Sequence, residues 1–431
     1  MTKPTLALAI AVAGCGRLGF GELAGRGVDG GIDGPAGELV TLVVTSDQYL
    51  AEPAGTPIAG ATVLVERSGG TDRLTTDAAG IARFPAAGVI ACHAIYKSEL
   101  GWRGYSVTAP PAIRIELGGR PAGSPTHGMT LTLPPSATAS SFTVRLPEHC
   151  ASPPLYGASS MDLSYDVACE GTTPRVIGFA LPVSGSQNPD LYLDGGLVTL
   201  ANGAMHAITG SYLQVPVRAI NIVNVPITAA AVQVEVLARS GIDLTSLTPI
   251  PHSVTPGAST VHFDLGVVPG GETARLQVFA ATPVAVLASS ERIERLPAGG
   301  ITTALDARTL LPPIDSLALD GPRGMRWTGG GTGGTITIVE TISGGIQWDL
   351  YLDPSATSAS VPPIPADLGA PEPKSPDVVS VVKLDVPGAT HDALLPTIDR
   401  RWSLWPHDPV LLPDAGSSEA RLLYIAALGP P

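Results

Sequence analysis

The sequence predicts an all-β protein of tandem antiparallel β-sandwich modules behind a flexible N-terminal tether. Glycine and proline supply 50 and 42 of the 431 residues, so turns recur too often for long uninterrupted helices. Hydrophobic residues make up 44% of the chain and aromatics only 5%, which is ample for packed cores and excludes disorder along the whole length. In segment after segment apolar and polar residues alternate with a period of two, the pattern of a strand with one buried face.

The chain starts with a short basic stretch, Met1-Thr2-Lys3-Pro4, followed by an uncharged apolar run from Thr5 to Ala13 that Val12-Ala13-Gly14-Cys15 closes. Lys3 would hold the cytoplasmic end while the apolar run enters the translocon, and the small residues before the cysteine suit a peptidase. This segment resembles the bacterial lipobox. The resemblance implies that residues 1–14 are a signal peptide, that diacylglycerol joins the Cys15 sulfur with a palmitate-type acyl anchor, and that the mature protein is held to a membrane by lipid. The competing reading is an ordinary secretory signal with a chance cysteine. A spanning anchor fails on length, since a helix needs roughly 20 apolar residues to cross a bilayer. Under the sorting rules of lipoproteins, Gly16 in place of Asp after the lipidated cysteine favours the outer membrane.

Residues 15–38 form the lipidated cysteine and its tether. Nine glycines between 16 and 38 and no apolar periodicity give flexible chain with a mean reach of roughly 25 Å. Asp29-Gly-Gly-Ile-Asp33-Gly34 invites a calcium-loop reading, but Gly31 and Val40 stand where such a loop needs an oxygen ligand and a bidentate Glu.

From Glu38 the period becomes two. Leu39–Val44 and Ala61–Val65 are rich in β-branched residues, and Ile113–Leu117 and Met129–Leu133 alternate strictly. Pro57 and Gly60 turn the chain before one strand, and Asp77 with Gly80 makes the turn that delivers Ala82 and Phe84 to the core. The run Gly55–Val65 followed by Thr75–Phe84 resembles the carboxypeptidase regulatory-like, or transthyretin-like, β-sandwich module and related bacterial immunoglobulin-like repeats, over about residues 39 to 119. The resemblance implies a fold and carries no peptidase residues.

The expected organisation is therefore a first sandwich at 39–133, a Pro/Ser/Thr-rich linker at Pro134–Ser141, a β-rich region of one or two modules at 141–311, and a C-terminal sandwich of fibronectin or Ig-like type at 313–431. One internal echo stands out. Ser184–Asp194 aligns without a gap onto Ser343–Asp353 with seven of eleven positions identical, and Ile177 and Val183 fall in step with Ile336 and Ile342. That is a hairpin followed by a strand, arising by duplication or twice independently.

The formal charge of −13, from 25 basic and 38 acidic residues, excludes a nucleic-acid partner, because no basic cluster could release phosphate counterions. Among the cysteines besides Cys15, Cys150 and Cys169 are close enough to bridge in an oxidising compartment, leaving Cys92 as a buried thiol. Sequence alone equally permits Cys92 to pair with either. Cys92-His93 and His149-Cys150 could supply zinc ligands, but neighbours on a strand point to opposite faces.

Asp190 with Asp194, and Asp349 with Asp353, read as turn-end carboxylates: four apart on a strand they are roughly 13 Å distant, too far to share an ion. Gly329–Gly334 lacks the lysine and helix of a nucleotide loop and reads as a mobile turn. Trp327 and Trp348 read as core, whereas Trp402 and Trp405, beside Arg400, Arg401 and His407, are the candidates for a glycan-stacking surface.

No nucleophile elbow, zinc-protease, phosphate-loop or Cys-x-x-Cys pattern occurs. The expectation is a non-catalytic envelope lipoprotein, without cofactor or metal, that acts in adhesion, envelope scaffolding or ligand binding. Its partners would be the membrane, through the N-terminal lipid, and a glycan or envelope protein. The alternative is an envelope hydrolase acting on glycan or peptide.

Overall fold

A computed structural model describes residues 39–46, 56–98, 101–108, 114–117, 126–136, 139–147, 150, 155–166, 169–182, 191–226, 229–240, 243–247, 252–256, 258–270, 273–280, 287–296, 302–312, 314–331, 333–372, 376, 378–385, 390–391 and 420–428. Cys15, the tether, Trp402 and Trp405 lie outside them.

The first group of strands is β1 (Leu39–Val44), β2 (Thr62–Arg67), β3 (Gly70–Thr75), β4 (Ile81–Pro85), β5 (Val89–Ser98), β6 (Gly101–Thr108) and β7 (Arg114–Leu117). The second is β8 (Thr126–Thr132), β9 (Ala139–Arg145), β10 (Leu155–Gly157), β11 (Ser160–Asp166), β12 (Arg175–Pro182), β13 (Leu191–Leu197), β14 (Met205–Ala207) and β15 (Leu213–Gln214). The third is β16 (Val217–Val223), β17 (Ala229–Ser240), β18 (Asp243–Ser246), β19 (His252–Val254), β20 (Thr260–Gly266), β21 (Thr273–Ala280), β22 (Leu287–Arg295) and β23 (Thr302–Asp306). The last is β24 (Ile314–Asp320), β25 (Gly324–Gly329), β26 (Ile336–Ser343), β27 (Ile346–Leu352), β28 (Ser358–Ser360), β29 (Val378–Asp385) and β30 (Ala420–Leu428).

Three of the sandwiches these strands build share one large sheet. Its order is β18-β17-β21-β22-β30-β29-β26-β27-β6-β5-β2-β3, with β19 beside β17. The small sheet β4-β1-β7 closes a core on one face, where Leu42, Val63, Phe84, Cys92 and Tyr105 meet Ile338, Tyr351 and Val382. On the opposite face, β24-β25-β28 covers Trp348, Val339, Leu350 and Val381 with Met325 and Trp327. Further along, β20-β16-β23 packs Ile220, Ile222, Phe263 and Leu265 against Val232, Val234 and Leu276 of β17 and β21.

The turn chemistry read from the sequence is in place. Asp77 Oδ1 accepts the backbone N–H groups of Ala79 and Ile81, each at 2.9 Å, and Gly80 takes a positive φ of 69°. A Cβ at Gly80 would fall 2.4 Å from the Val44 carbonyl oxygen, so only glycine fits there. Ala82 and Phe84 then point into the first core.

Strand pairing groups the chain differently from the expected division at Pro134–Ser141. Met129, Leu131 and Leu133 share one core with Phe142 and Val144, because β8 pairs with β11 and β14 while β9 joins β12, and the two sheets face each other. The expected linker thus runs within one sandwich. Likewise 313–431 does not stand apart from 39–133: β27 pairs in parallel with β6 from Ile346↔Trp102 to Tyr351↔Val107, so the last group of strands extends the first group's sheet.

The echoed hairpins have the same register. Phe179 faces Tyr192 and Ala180 faces Leu191, as Ile338 faces Tyr351 and Val339 faces Leu350. The ungapped sequence match is therefore also a match of cross-strand partners, which supports duplication.

Candidate functional site: two polar clusters across the seam

Four adjacent strands, β5, β6, β27 and β26, carry a polar cluster on each face of the seam between the first and last groups. Strand alternation divides them: on β6, Arg103 and Tyr105 face one way and Gly104 and Ser106 the other. On β27, Gln347 and Asp349 share the first face while Trp348 takes the second.

On the second face, Trp348 Nε1 donates to Ser106 Oγ at 2.7 Å, and Ser106 Oγ lies 2.7 Å from His93 Nδ1. His93 Nε2 is 3.3 Å from Glu66 Oε1. Burial, against the opposing pull of the Glu66 carboxylate, holds the imidazole below its ordinary pKa, which favours the neutral ring. The consistent assignment has the Ser106 hydroxyl donating to Nδ1 and Nε2–H facing Glu66. Carboxylate, imidazole and hydroxyl in series form the grouping that activates a serine nucleophile. Here, however, Ser106 and Trp348 are each 1% exposed, and the indole occupies the hydroxyl. The relay is a buried hydrogen-bond network that fixes Trp348 against Gly104, where a Cβ would come within 2.2 Å of the ring.

On the first face, Glu340 and Asp349 are direct cross-strand partners. Arg103 Nη2 is 3.8 Å from Asp349 Oδ2, and Gln347 donates to Glu340 Oε1. Arg103 also lies over the Tyr105 ring, 5.8 Å from its centroid, and Tyr105 stacks on Tyr96 at 6.3 Å. Burial, then the Asp349 charge, push Glu340 up to about 8, with Arg103 opposing. Asp349 is raised by burial, again opposed by Arg103. At neutral pH Glu340 therefore keeps its proton, next to an Asp349 shifted in the same direction and beside a guanidinium.

The sequence-predicted residues sort as follows. Cys150 and Cys169 are joined by a disulfide with a Cα–Cα distance of 5.7 Å, buried beside Phe142 and Tyr165. Cys92 is a buried free thiol in the first core, pushed up to about 12 by burial. His93 points to the opposite face, so the two do not converge on one metal. Among the described residues no group of three His, Cys, Asp or Glu side chains could hold an ion.

Asp194 and Asp353 accept the N–H groups of Gly196 and Ser355, as turn-end carboxylates do, whereas Asp349 is a mid-strand member of the acid pair. Trp327 and Trp348 are core. The glycine run is held in place: Lys383 Nζ, from β29, donates to the carbonyls of Gly330 (3.1 Å) and Gly331. A loop that turns carbonyls toward a cation is the inverse of a phosphate cradle, which presents N–H groups.

Both clusters escaped the sequence reading. Their members lie far apart in sequence, Ser106 and Trp348 by 242 positions, and only the parallel pairing of β6 with β27 unites them.

No family model and no curated protein matches the sequence. Solved structures similar to the chain include the Bacillus anthracis TIE protein (12% identity, TM-score 0.15), with 62% of this chain and 50% of that one covered. A Ca2+-stabilised, ice-binding adhesin of an Antarctic bacterium follows at 11% identity and TM-score 0.14, over 82% of this chain and 96% of that one. The shaft pilin SpaA from Lactobacillus rhamnosus GG matches at 10% identity and TM-score 0.14, over 41% of this chain and 99% of that one. This chain spans half the length of the Bacillus anthracis protein. At these TM-scores the likenesses carry no argument about function.

Proposed function

We propose that the protein is a non-catalytic envelope lipoprotein that displays a rigid stack of β-sandwiches for adhesion, envelope scaffolding or ligand binding. The lipobox at Cys15 and the glycine-rich tether support anchoring and stand-off. Gly16 favours the outer membrane, and the resemblance of residues 39–119 to the carboxypeptidase regulatory-like module fits a display scaffold. The single observation that carries the reading is the seam: the serine, imidazole and indole best suited to chemistry are buried in a network that locks two groups of strands together. Trp402 and Trp405 are the proposed glycan-stacking residues.

The test is an array of glycans and envelope polymers probed with the whole mature chain, since 313–431 shares its sheet with β6. Retention without turnover, weakened by Trp402→Ala or Trp405→Ala, supports the reading. One observation favours the hydrolase alternative: the half-buried Glu340/Asp349 pair, in which one carboxyl keeps its proton at neutral pH. Turnover of a glycan that Glu340→Gln and Asp349→Asn both abolish would establish that alternative.

A further inference from the structure

Strand β30 is the one hydrogen-bonded link, among the described residues, between two halves of the large sheet. It pairs antiparallel with β22 from Leu287↔Ala426 to Ile293↔Ala420, and with β29 from Val378↔Leu428 to Asp385↔Arg421. On one side lie β22, β21, β17 and β18, and on the other β29, β26, β27, β6, β5, β2 and β3. Each half carries its own core. Without β30, both β22 and β29 would present a full row of unpaired N–H and C=O groups, a slot with two antiparallel edges.

The strand that fills this slot reaches it after residues 386–419, a length of chain that can span up to roughly 110 Å. Its sequence, ARLLYIAAL, has a single charge and no proline, so nothing in it opposes pairing with another copy's edges. The outer strand β3 is the contrast: it carries Asp72 and Arg73, which pair with Arg67 and Asp367 at 2.8 and 2.7 Å.

We propose that β30 is an exchangeable strand. The slot between β22 and β29 takes Ala420–Leu428 from its own chain in dilute protein and from a second copy when copies are crowded, giving a reciprocally swapped dimer. A tethered strand acts at an effective concentration on the order of millimolar, so a second copy competes only near that density. Surface display under the proposed function would supply such crowding, but the exchange itself does not depend on it.

The test uses the whole chain with Cys15→Ser and a cysteine pair at facing positions of β29 and β30, Ser380→Cys with Ala426→Cys. Two copies carrying tags of different size are unfolded, mixed, refolded at low and at high concentration, and oxidised. Monomer bands at low concentration and a covalent dimer bearing both tags at high concentration are the expected result. A control pair within β26 and β29, Thr341→Cys with Val379→Cys, should stay monomeric under both conditions. Monomer alone after concentrated refolding would overturn the proposal, as would equal dimer yield from the control pair. Light scattering of the Cys15→Ser chain without added cysteines gives an independent readout: a strictly monomeric species after concentrated refolding would also overturn it.

Discussion

Trp348 donates its indole N–H to the Ser106 hydroxyl across the parallel seam of β27 and β6, at 2.7 Å. The bond couples residues 242 positions apart and places the largest fully buried side chain against a glycine on the neighbouring strand. Removing the hydroxyl with Ser106→Ala leaves the indole N–H and His93 Nδ1 without their partner, a loss of about 1–3 kcal/mol. Gly104→Ala forces a Cβ into the Trp348 ring and should cost a comparable amount by overpacking, about 1–3 kcal/mol. Urea unfolding followed by tryptophan fluorescence checks both; midpoints equal to the parent's would show that the seam is not a stabilising element.

The acid pair predicts a dependence on alkaline pH. Glu340 has a folded pKa of about 8, raised from 4.5. Its contribution to stability is therefore complete below about pH 4.5 and is lost as pH rises through 8, because the folded state holds a proton that the unfolded chain releases. Glu340→Gln keeps a neutral side chain at every pH, so the variant should gain on the parent as pH rises from 5 to 9. Thermal midpoints of the two proteins that stay parallel over that range would contradict the assignment.

Glu170 predicts the opposite slope. Hydrogen bonds from Tyr165, then His127, then the Asn202 backbone hold its carboxyl down at about 2. Its contribution is present above the unfolded value of 4.5 and lost as pH falls toward 2. In Glu170→Gln, acid unfolding between pH 4.5 and 2 should be shallower than in the parent, as read by far-ultraviolet circular dichroism.

The disulfide predicts a local loss. Cys150 and Cys169 are 19 positions apart, and opening the bridge with Cys150→Ser and Cys169→Ser together should cost roughly 3 kcal/mol in the loop-closure description. Cys92, at 0% exposure and with its thiol raised to about 12, should resist alkylation until the chain is unfolded. Urea unfolding of the double variant against the parent checks the first statement, and peptide mapping after iodoacetamide treatment with and without denaturant checks the second.

Local physics made much of the fold legible in sequence. Phe84 and Ala82 face the core because Asp77 and Gly80 dictate the turn before them, and the alternation of Met129-Thr-Leu131-Thr-Leu133 fixes which face of β8 is buried. What stayed hidden depends on distant pairing. Gly101–Thr108 has no strict alternation, since β6 is buried on both faces between β5 and β27, and a doubly buried strand loses the period-two signature. The partnership of β6 with β27 leaves no local trace, so Ser106, Trp348, Arg103 and Asp349 read as unrelated residues. Lys383 was equally opaque: nothing near it in sequence announces that its ammonium ends among the carbonyls of Gly330 and Gly331.

The anchoring of this scaffold is the claim on which the proposed envelope role stands, and the mass of the protein recovered from the membrane fraction tests it most directly. Intact-mass analysis of the membrane fraction should show loss of residues 1–14 and a diacylglycerol-modified Cys15, with the Cys15→Ser protein leaving the detergent phase. An unmodified cysteine, cleavage at another position, or a serine variant that partitions into detergent as the parent does would contradict the account.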